Sequence, residues 1–402
     1  MDDSVVRVGP FGTTILRRSR GYSPGAVSSF PTNQPILAVG ADLKNAITLV
    51  VDGQAFVSQH IGDLSHYHAR RSFADTIQDL LTMYEVPVDD LLVVHDSHPQ
   101  YVSTQHALAL GVSQTVPIQH HRAHVASVLA ERGEWHRQVL GISFDGTGYG
   151  DDGTIWGGEF FLGSVTHGFE RVAHLRPAAL PGGDAAARYP VQAAAGFLSQ
   201  LDCFDFKQPP FNFPARFRDS MQLVQKNLRC FLTTSMGRLF DTTAALLGFI
   251  REITFEGQAA MWLEHLASSA DRSDFYRFPL NDNELDFRPL LEAVILDRLR
   301  GRDRAEIARA FQFGVAAGLH SAAASLCRKL EVDVVAVSGG VFQNRLLLED
   351  LQILFKGGPY EVWTNSAVPA NDGGISLGQA AIAALWKKES PQSARSNVFS
   401  SA

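Results

Sequence analysis

Apolar runs punctuated by glycine and aspartate are the first signal along the chain. ILAVGADLKNAITLVVDGQAFVSQH reads as strands over 36–40, 46–51 and 54–60, with Asp52-Gly53 as a hairpin turn. A helical period then takes over across 68–84. The strand texture returns in VLGISFDGTGYGDDGTIWGGEFFLGS, which predicts strands over 139–144 and 155–162 around a loop of glycines and acids. Each strand–loop–strand unit opens one half of the chain, the signature of an internal duplication.

A third glycine-rich element, VVAVSGGVFQNRLLLEDL, predicts a buried strand over 334–338, the Gly339-Gly340 turn and a helix. NDGGISLGQAAIAAL opens a closing helix near Ile375. Helical stretches are expected at 186–200, 218–230, 238–250, 256–269, 287–299 and 304–330. Residues 1–35 carry Gly and Pro punctuation and predict an extended arm with one strand at 13–17. These elements add up to a two-lobed α/β fold of the actin-like class with an inter-lobe cleft. The expected plan is an arm (1–35), a first lobe (36–136) and a second lobe (137–402) whose closing helix packs back on the first.

Composition narrows this picture without redirecting it. Hydrophobic residues make up 45% and charged residues 19% of 402 positions, the balance of a chain with a large core. A net charge of -7 argues against a nucleic-acid partner, although Arg17, Arg18 and Arg20 form a local basic patch. No uninterrupted 18-residue apolar run and no secretory pattern appear, so neither a membrane nor an exported destination is expected. Cys203, Cys230 and Cys327 lie far apart with no CxxC, which excludes a zinc ribbon. A reduced, cytoplasmic protein is the expectation.

The candidate chemistry lies in three groups. In QHHRAHVASVLAERG, on a predicted helix, His120 and His124 are four apart and share one face. His121 points about 100° away. Asp145 ends a buried strand, and Asp372 precedes the closing helix. Two histidines with one or two aspartates make a mixed N/O set suited to Fe(II), Zn(II) or Mn(II). The competing reading makes Asp145 and Asp372 a turn residue and a helix cap. Glycines at 146, 148, 150, 157, 158, 182, 183, 339 and 340 let backbone amides approach an anion, and Asn344 opens a helix where it can reach a ribose or base. No GxxxxGKS occurs. HDSHPQY (His95–Tyr101) follows the apolar LLVV, and reads equally as a site at a strand end or a simple turn. The aromatic run 204–213 reads as packing or a loop staple rather than a partner loop.

Taken together, QHHRAH, SFDGTGYGDDGTIWGGEFF, LPGGDAA, SMGRLFD, EGQAAMWLE, SGGVFQNRLL and NDGGISLGQA closely resemble the C-terminal, transferase half of HypF-type hydrogenase maturation proteins. The likeness runs from about residue 36, and RRSRGYSP resembles the tail of the preceding YrdC-like domain. It implies an actin-like/sugar-kinase fold. It implies that His120, His124 and Asp372 bind a metal (Fe2+ or Zn2+, with Mg2+ alongside the nucleotide), Asp145 near or on it. It assigns Lys44, Asn45, Gly157, Gly158, Glu159, Gly182, Gly183, Asp184, Gly237, Asp241, Gly339, Gly340 and Asn344 to the adenylate. In that family ATP and carbamoyl phosphate give carbamoyl-adenylate. Its carbamoyl group passes to the C-terminal cysteine of HypE, on the route to the cyanide ligands of NiFe hydrogenase. Full-length members also carry acylphosphatase, zinc-finger and YrdC-like domains that these motifs do not include, so a separate YrdC-like activating protein is an expected partner. O-carbamoylation of a small molecule, or a non-catalytic partner-binding subunit, are the alternatives.

Overall fold

The computed structural model describes residues 3–10, 12–201 and 204–385. Its core is two sheets of the same design. In the first, the strands Ile36–Ala38, Thr48–Val51 and Gln54–Val57 run antiparallel in succession, and Leu92–Asp96 and Gln114–Ile118 are added in parallel on the far side of Ile36–Ala38. In the second, Val139–Tyr149, Ile155–Ser164 and Gly168–Leu175 are antiparallel, and Val334–Ser338 and Glu361–Thr364 extend Val139–Tyr149 in parallel. Both therefore have the order 3-2-1-4-5, which is the duplication that the sequence repeats suggest. The short strand Ala26–Ser29 lies on the first sheet's edge beside Gln54–Val57, so this part of the expected arm is woven into the first sheet. Val5–Gly9 and Gly12–Arg17 form a hairpin of their own.

The strands of the central pairs are apolar on both faces because helices cover both sides. Ile36, Leu37, Ala38, Val93 and Val94 are buried in the first sheet, and Leu140, Ile142, Val335 and Ala336 in the second. Each repeat ends in a helix directly after its fifth strand: His120–Ala130 in the first and Ile375–Leu385 in the second. These two helices pack on each other. A Cβ on Gly378 would run into the Ala123 carbonyl, so only glycine allows so close an approach. Glu131, at the end of the first helix, accepts from the amides of Ser366, Ala367 and Val368 in the second half. Thr48 bonds Ser376, and Gln379 accepts from the Gly40 amide. The closing helix of the second half thus packs on the sheet of the first.

Several expected elements divide where the backbone requires it. The stretch 186–200 becomes Asp184–Arg188 and Pro190–Leu198, because Pro190 cannot continue a helix but starts one well. The stretch 218–230 is the helix Ala215–Gln225 followed by strand Cys230–Thr233. Arg304–Leu330 is one helix, long and apolar enough by composition to cross a membrane, but Phe311, Val315, Leu319 and Leu326 are packed into the second half's core. In the aromatic run, Phe206 stacks among Phe211, Phe213 and Phe217, which makes it a packing staple.

Candidate metal centre

Gln119 sets the position of both histidines. Its side chain caps the helix by accepting from the Arg122 amide at 3.0 Å, which puts His120 in the first turn and His124 one turn further on. The seventh residue from the start of the second repeat, Asp145, faces them across the cleft. Asp145 Oδ2 lies 3.0 Å from His124 Nε2 and 3.3 Å from His120 Nε2. Asp372 Oδ1 lies 3.7 Å from His124 Nε2 and 3.9 Å from His120 Nε2. The four donor atoms fall within 4.8 Å of one another. Both histidines and Asp145 are buried, and Asp372 nearly so.

Asp372 is held in place from behind. Asn371 caps the turn by accepting from the Gly373 amide and donates to Leu16 O in the N-terminal hairpin at 3.1 Å. The Gly339 amide and the Ser338 hydroxyl both donate to Ala370 O, two residues before Asp372. The other Asp145 oxygen is fixed by the amides of Gly146 (2.7 Å) and Gly340 (3.2 Å). Behind His120, Asp96 Oδ2 lies 2.8 Å from Nδ1. A carboxylate only accepts, so Nδ1 carries the proton and Nε2 is presented to the cluster.

The electrostatics follow from two carboxylates and two imidazoles confined together. Burial alone would raise the Asp145 carboxyl, but its bonds from His120 and His124 hold it well below the usual range. Burial and then the neighbouring charge of Asp145 push Asp372 up to about 6. Burial works against a charged His120, yet Asp96 together with Asp145 lifts it well above an ordinary imidazole. His121, buried beside His120, is pushed well below. A divalent cation fits this donor set: two nitrogen and two oxygen donors converge, and among the described residues no lysine or arginine salt-bridges either acid.

The nucleotide candidates divide. Gly339 and Gly340 stand against Phe144 and Asp145, and Gly237 packs on Gly146, so these three border the cluster. Lys44, from the first half, pairs with Glu256 of the second, and burial and the charges of Glu256, Asp372 and Asp145 act on its ammonium. Asp241 is buried against Arg238 at 3.0 Å. Of the remaining positions, Gly157, Gly158, Glu159, Asn344 and Asn45 are taken up inside the protein. The Gly157 and Gly158 amides donate to Glu159, whose oxygens also take Thr234 and Arg171; a buried carboxylate claims them before any ligand. Asn344 caps its helix by accepting from the Leu347 amide, and Asn45 donates to Val39 O and Ala41 O. Gly182 and Gly183 line a separate surface cavity of about 890 Å³ with Gln192, Arg216 and Phe231. Asp184 begins a helix, and its side chain lies outside the described residues.

Two residues lie inside stretches that the sequence singles out without being named there themselves. Asp96 sits in HDSHPQY, where the strand-end rule was the available signal. Arg238, inside SMGRLFD, is 7% exposed, and its Nε and Nη1 have no partner among the described residues. Its Nη2 would lie 3.9 Å from a Cβ on Gly146, which puts the guanidinium beside the glycine loop that follows Asp145.

Comparison with known proteins gives the family. Residues 141–379 match the model of the carbamoyltransferase Kae1-like domain, second subdomain, and residues 31–131 that of the HypF Kae1-like domain. Carbamoyltransferase HypF of Synechocystis sp. is 37% identical over 410 residues, covering 94% of this chain and 51% of the relative. A carbamoyltransferase HypF homolog of Cupriavidus necator is 34% identical over 366 residues, covering 87% of this chain and 91% of the relative. The crystal structure of full-length HypF in its phosphate- and nucleotide-bound form superposes with a TM-score of 0.87 at 35% identity, over 96% of this chain and 62% of that one. The chain spans about half the length of most of the curated relatives it matches.

Proposed function

The chain belongs to the HypF carbamoyltransferase family, and on that premise we propose that it transfers a carbamoyl group from carbamoyl-adenylate to a thiolate, that of the C-terminal cysteine of a HypE-like acceptor. The observation that carries the proposal is the meeting of His120, His124, Asp145 and Asp372, drawn from both repeats, at one buried point. These four residues would hold a divalent iron or zinc ion, which when bound supplies Lewis-acid polarisation of the carbamoyl carbonyl. A YrdC-like protein or domain would make the adenylate from carbamoyl phosphate and ATP.

The chain's own residues do the remainder. Arg238, whose guanidinium lies beside Gly146 and keeps two nitrogens unpartnered among the described residues, and Lys44, paired with Glu256, would offer positive charge to the adenylate phosphate. The thiolate sulfur forms a bond to the carbamoyl carbon, the bond from that carbon to the phosphoryl oxygen breaks, and AMP departs with the electron pair. No redox change occurs. With AMP as leaving group, the protein's task is positioning and charge stabilisation rather than covalent catalysis.

The test measures metal content and AMP affinity of the purified protein beside His120→Ala and His124→Ala. About one metal per chain, lost in both variants, is the expected result. Stoichiometric metal that survives both substitutions, or none after anaerobic reconstitution, overturns the proposal.

A further inference from the structure

The duplicated fold treats its two fourth strands alike. In the second repeat, the end of Val334–Ser338 holds the segment leading into the closing helix: Ser338 Oγ and the Gly339 amide both reach Ala370 O, just ahead of Asp372. In the first repeat, the end of Leu92–Asp96 carries Asp96, which reaches His120 at the start of that repeat's last helix. Each fourth strand thus braces one of the two donors that its own repeat brings to the cluster.

Asp96 is built for bracing and for little else. It is fully buried. One oxygen accepts from the His98 amide at 2.8 Å, its backbone carbonyl accepts from Thr104 at 3.1 Å, and the remaining oxygen meets His120 Nδ1. That nitrogen is on the far side of the ring from the Nε2 that faces Asp145. Asp96 is therefore not a fifth donor. His124 has no such support: its Nδ1 is buried and without a hydrogen-bond partner among the described residues. The two imidazoles, alike in spacing and in what they face, differ in what stands behind them.

We infer that Asp96 is a positioning residue for the proposed metal centre: it fixes the tautomer and ring orientation of His120 and makes that imidazole the firmer of the two nitrogen donors. The inference rests on the metal reading of the cluster. A carboxylate behind a histidine both orients the ring and increases its basicity, and removing such a partner ordinarily weakens metal binding by about 10- to 100-fold. An amide in its place keeps an acceptor for Nδ1–H but not the charge.

Cobalt(II) is the probe, titrated into the metal-free full chain and followed by its visible absorption, with the thermal midpoint of the metal-free protein measured in parallel. Wild type and His124→Ala are titrated first. Absence of cobalt binding in the wild type overturns the metal reading itself, and Asp96 with it. Given binding, Asp96→Ala is expected to weaken cobalt affinity about 10- to 100-fold and shift the cobalt bands, with Asp96→Asn recovering part of the loss. Affinity within about threefold of wild type and unchanged bands in Asp96→Ala would overturn the inference while leaving the metal reading standing. If Asp96→Ala does not fold, Asp96→Asn decides: a several-fold loss with shifted bands supports the role, and wild-type affinity with unaltered bands overturns it.

Discussion

Asp372 gives the sharpest quantitative test, because its cost and its use have opposite signs. Burial and the nearby Asp145 raise its carboxyl to about 6 in the metal-free fold, against an ordinary aspartate near 3.9. A raised carboxyl favours the folded state only while protonated. The contribution is fully present below the unfolded value and is lost as pH rises through the folded one. With each pH unit worth about 1.4 kcal/mol, the ionised side chain costs the metal-free protein about 3 kcal/mol at pH 8. Asp372→Asn removes that charge at nearly constant shape. In metal-free buffer the variant should therefore be more stable than wild type by about 3 kcal/mol at pH 8, an advantage that shrinks between about pH 6 and pH 4.

The assay is urea unfolding of both proteins with chelator present, at pH 4, 6 and 8, followed by circular dichroism. Added zinc should reverse the ranking, since the variant gives up a donor. A variant equal to or weaker than wild type at pH 8 without metal, or an advantage independent of pH, would refute the reasoning that these acids are held together at a cost. A stabilising substitution that abolishes binding is the usual sign of a site kept for function rather than for the fold.

Two further predictions concern the surroundings of the cluster. Arg238→Met should lower AMP affinity about 10- to 100-fold in calorimetric titration, the range of one or two charge-assisted hydrogen bonds, while leaving zinc stoichiometry unchanged; unchanged AMP affinity would place the guanidinium outside the ligand's reach. Gly378→Ala forces a methyl group against the Ala123 carbonyl, so it should destabilise the fold by about 1–3 kcal/mol in urea unfolding and weaken zinc binding, because it separates the helix of His120 and His124 from that of Asp372. A variant with normal stability and normal zinc affinity would show that the helix pair can yield at no cost to the centre.

The sequence made part of this legible and hid the rest for physical reasons. His120 and His124 share a face because the helical period is fixed, which needs only local spacing; Asp145 follows the apolar run as expected, but the strand continues past it to Tyr149, so it faces the histidines from within the strand rather than from its end. The duplication was visible for the same reason, since the strand order follows the repeated pattern. Whether an amide is free is not a local property. Gly157 and Gly158 look like an anion cradle until Glu159 is seen folded back on them, and Asn344 looks like a ribose contact until its oxygen is seen capping the Leu347 amide. Gly148 shows the same limit: a Cβ there would strike His120 and His121, so it clears space for the imidazoles. Asp96 was hidden because its partner is 24 residues away on the neighbouring strand's helix.

The duplication also explains why the cluster has this composition. Asp42 is the seventh residue from the start of the first repeat, as Asp145 is of the second, yet it accepts from the amides of Val102 and Ser103 and serves as a helix cap. One copy of the carboxylate does structural work, and the other faces the histidines. The donors at the last helices differ in the same way: the first repeat contributes imidazoles from the helix itself, the second a carboxylate from the turn just ahead of its helix. Both helices start at the cluster, and helix N-termini favour anions and disfavour cations. A cation can sit there only if fixed negative charge outweighs that field, which Asp145 and Asp372 together provide. On the proposed reading, the same helix ends and the Arg238 guanidinium would act together with a bound cation on a phosphoryl oxygen. On that reading the two aspartates are what would let one pair of helix starts serve a metal and an anionic substrate at once.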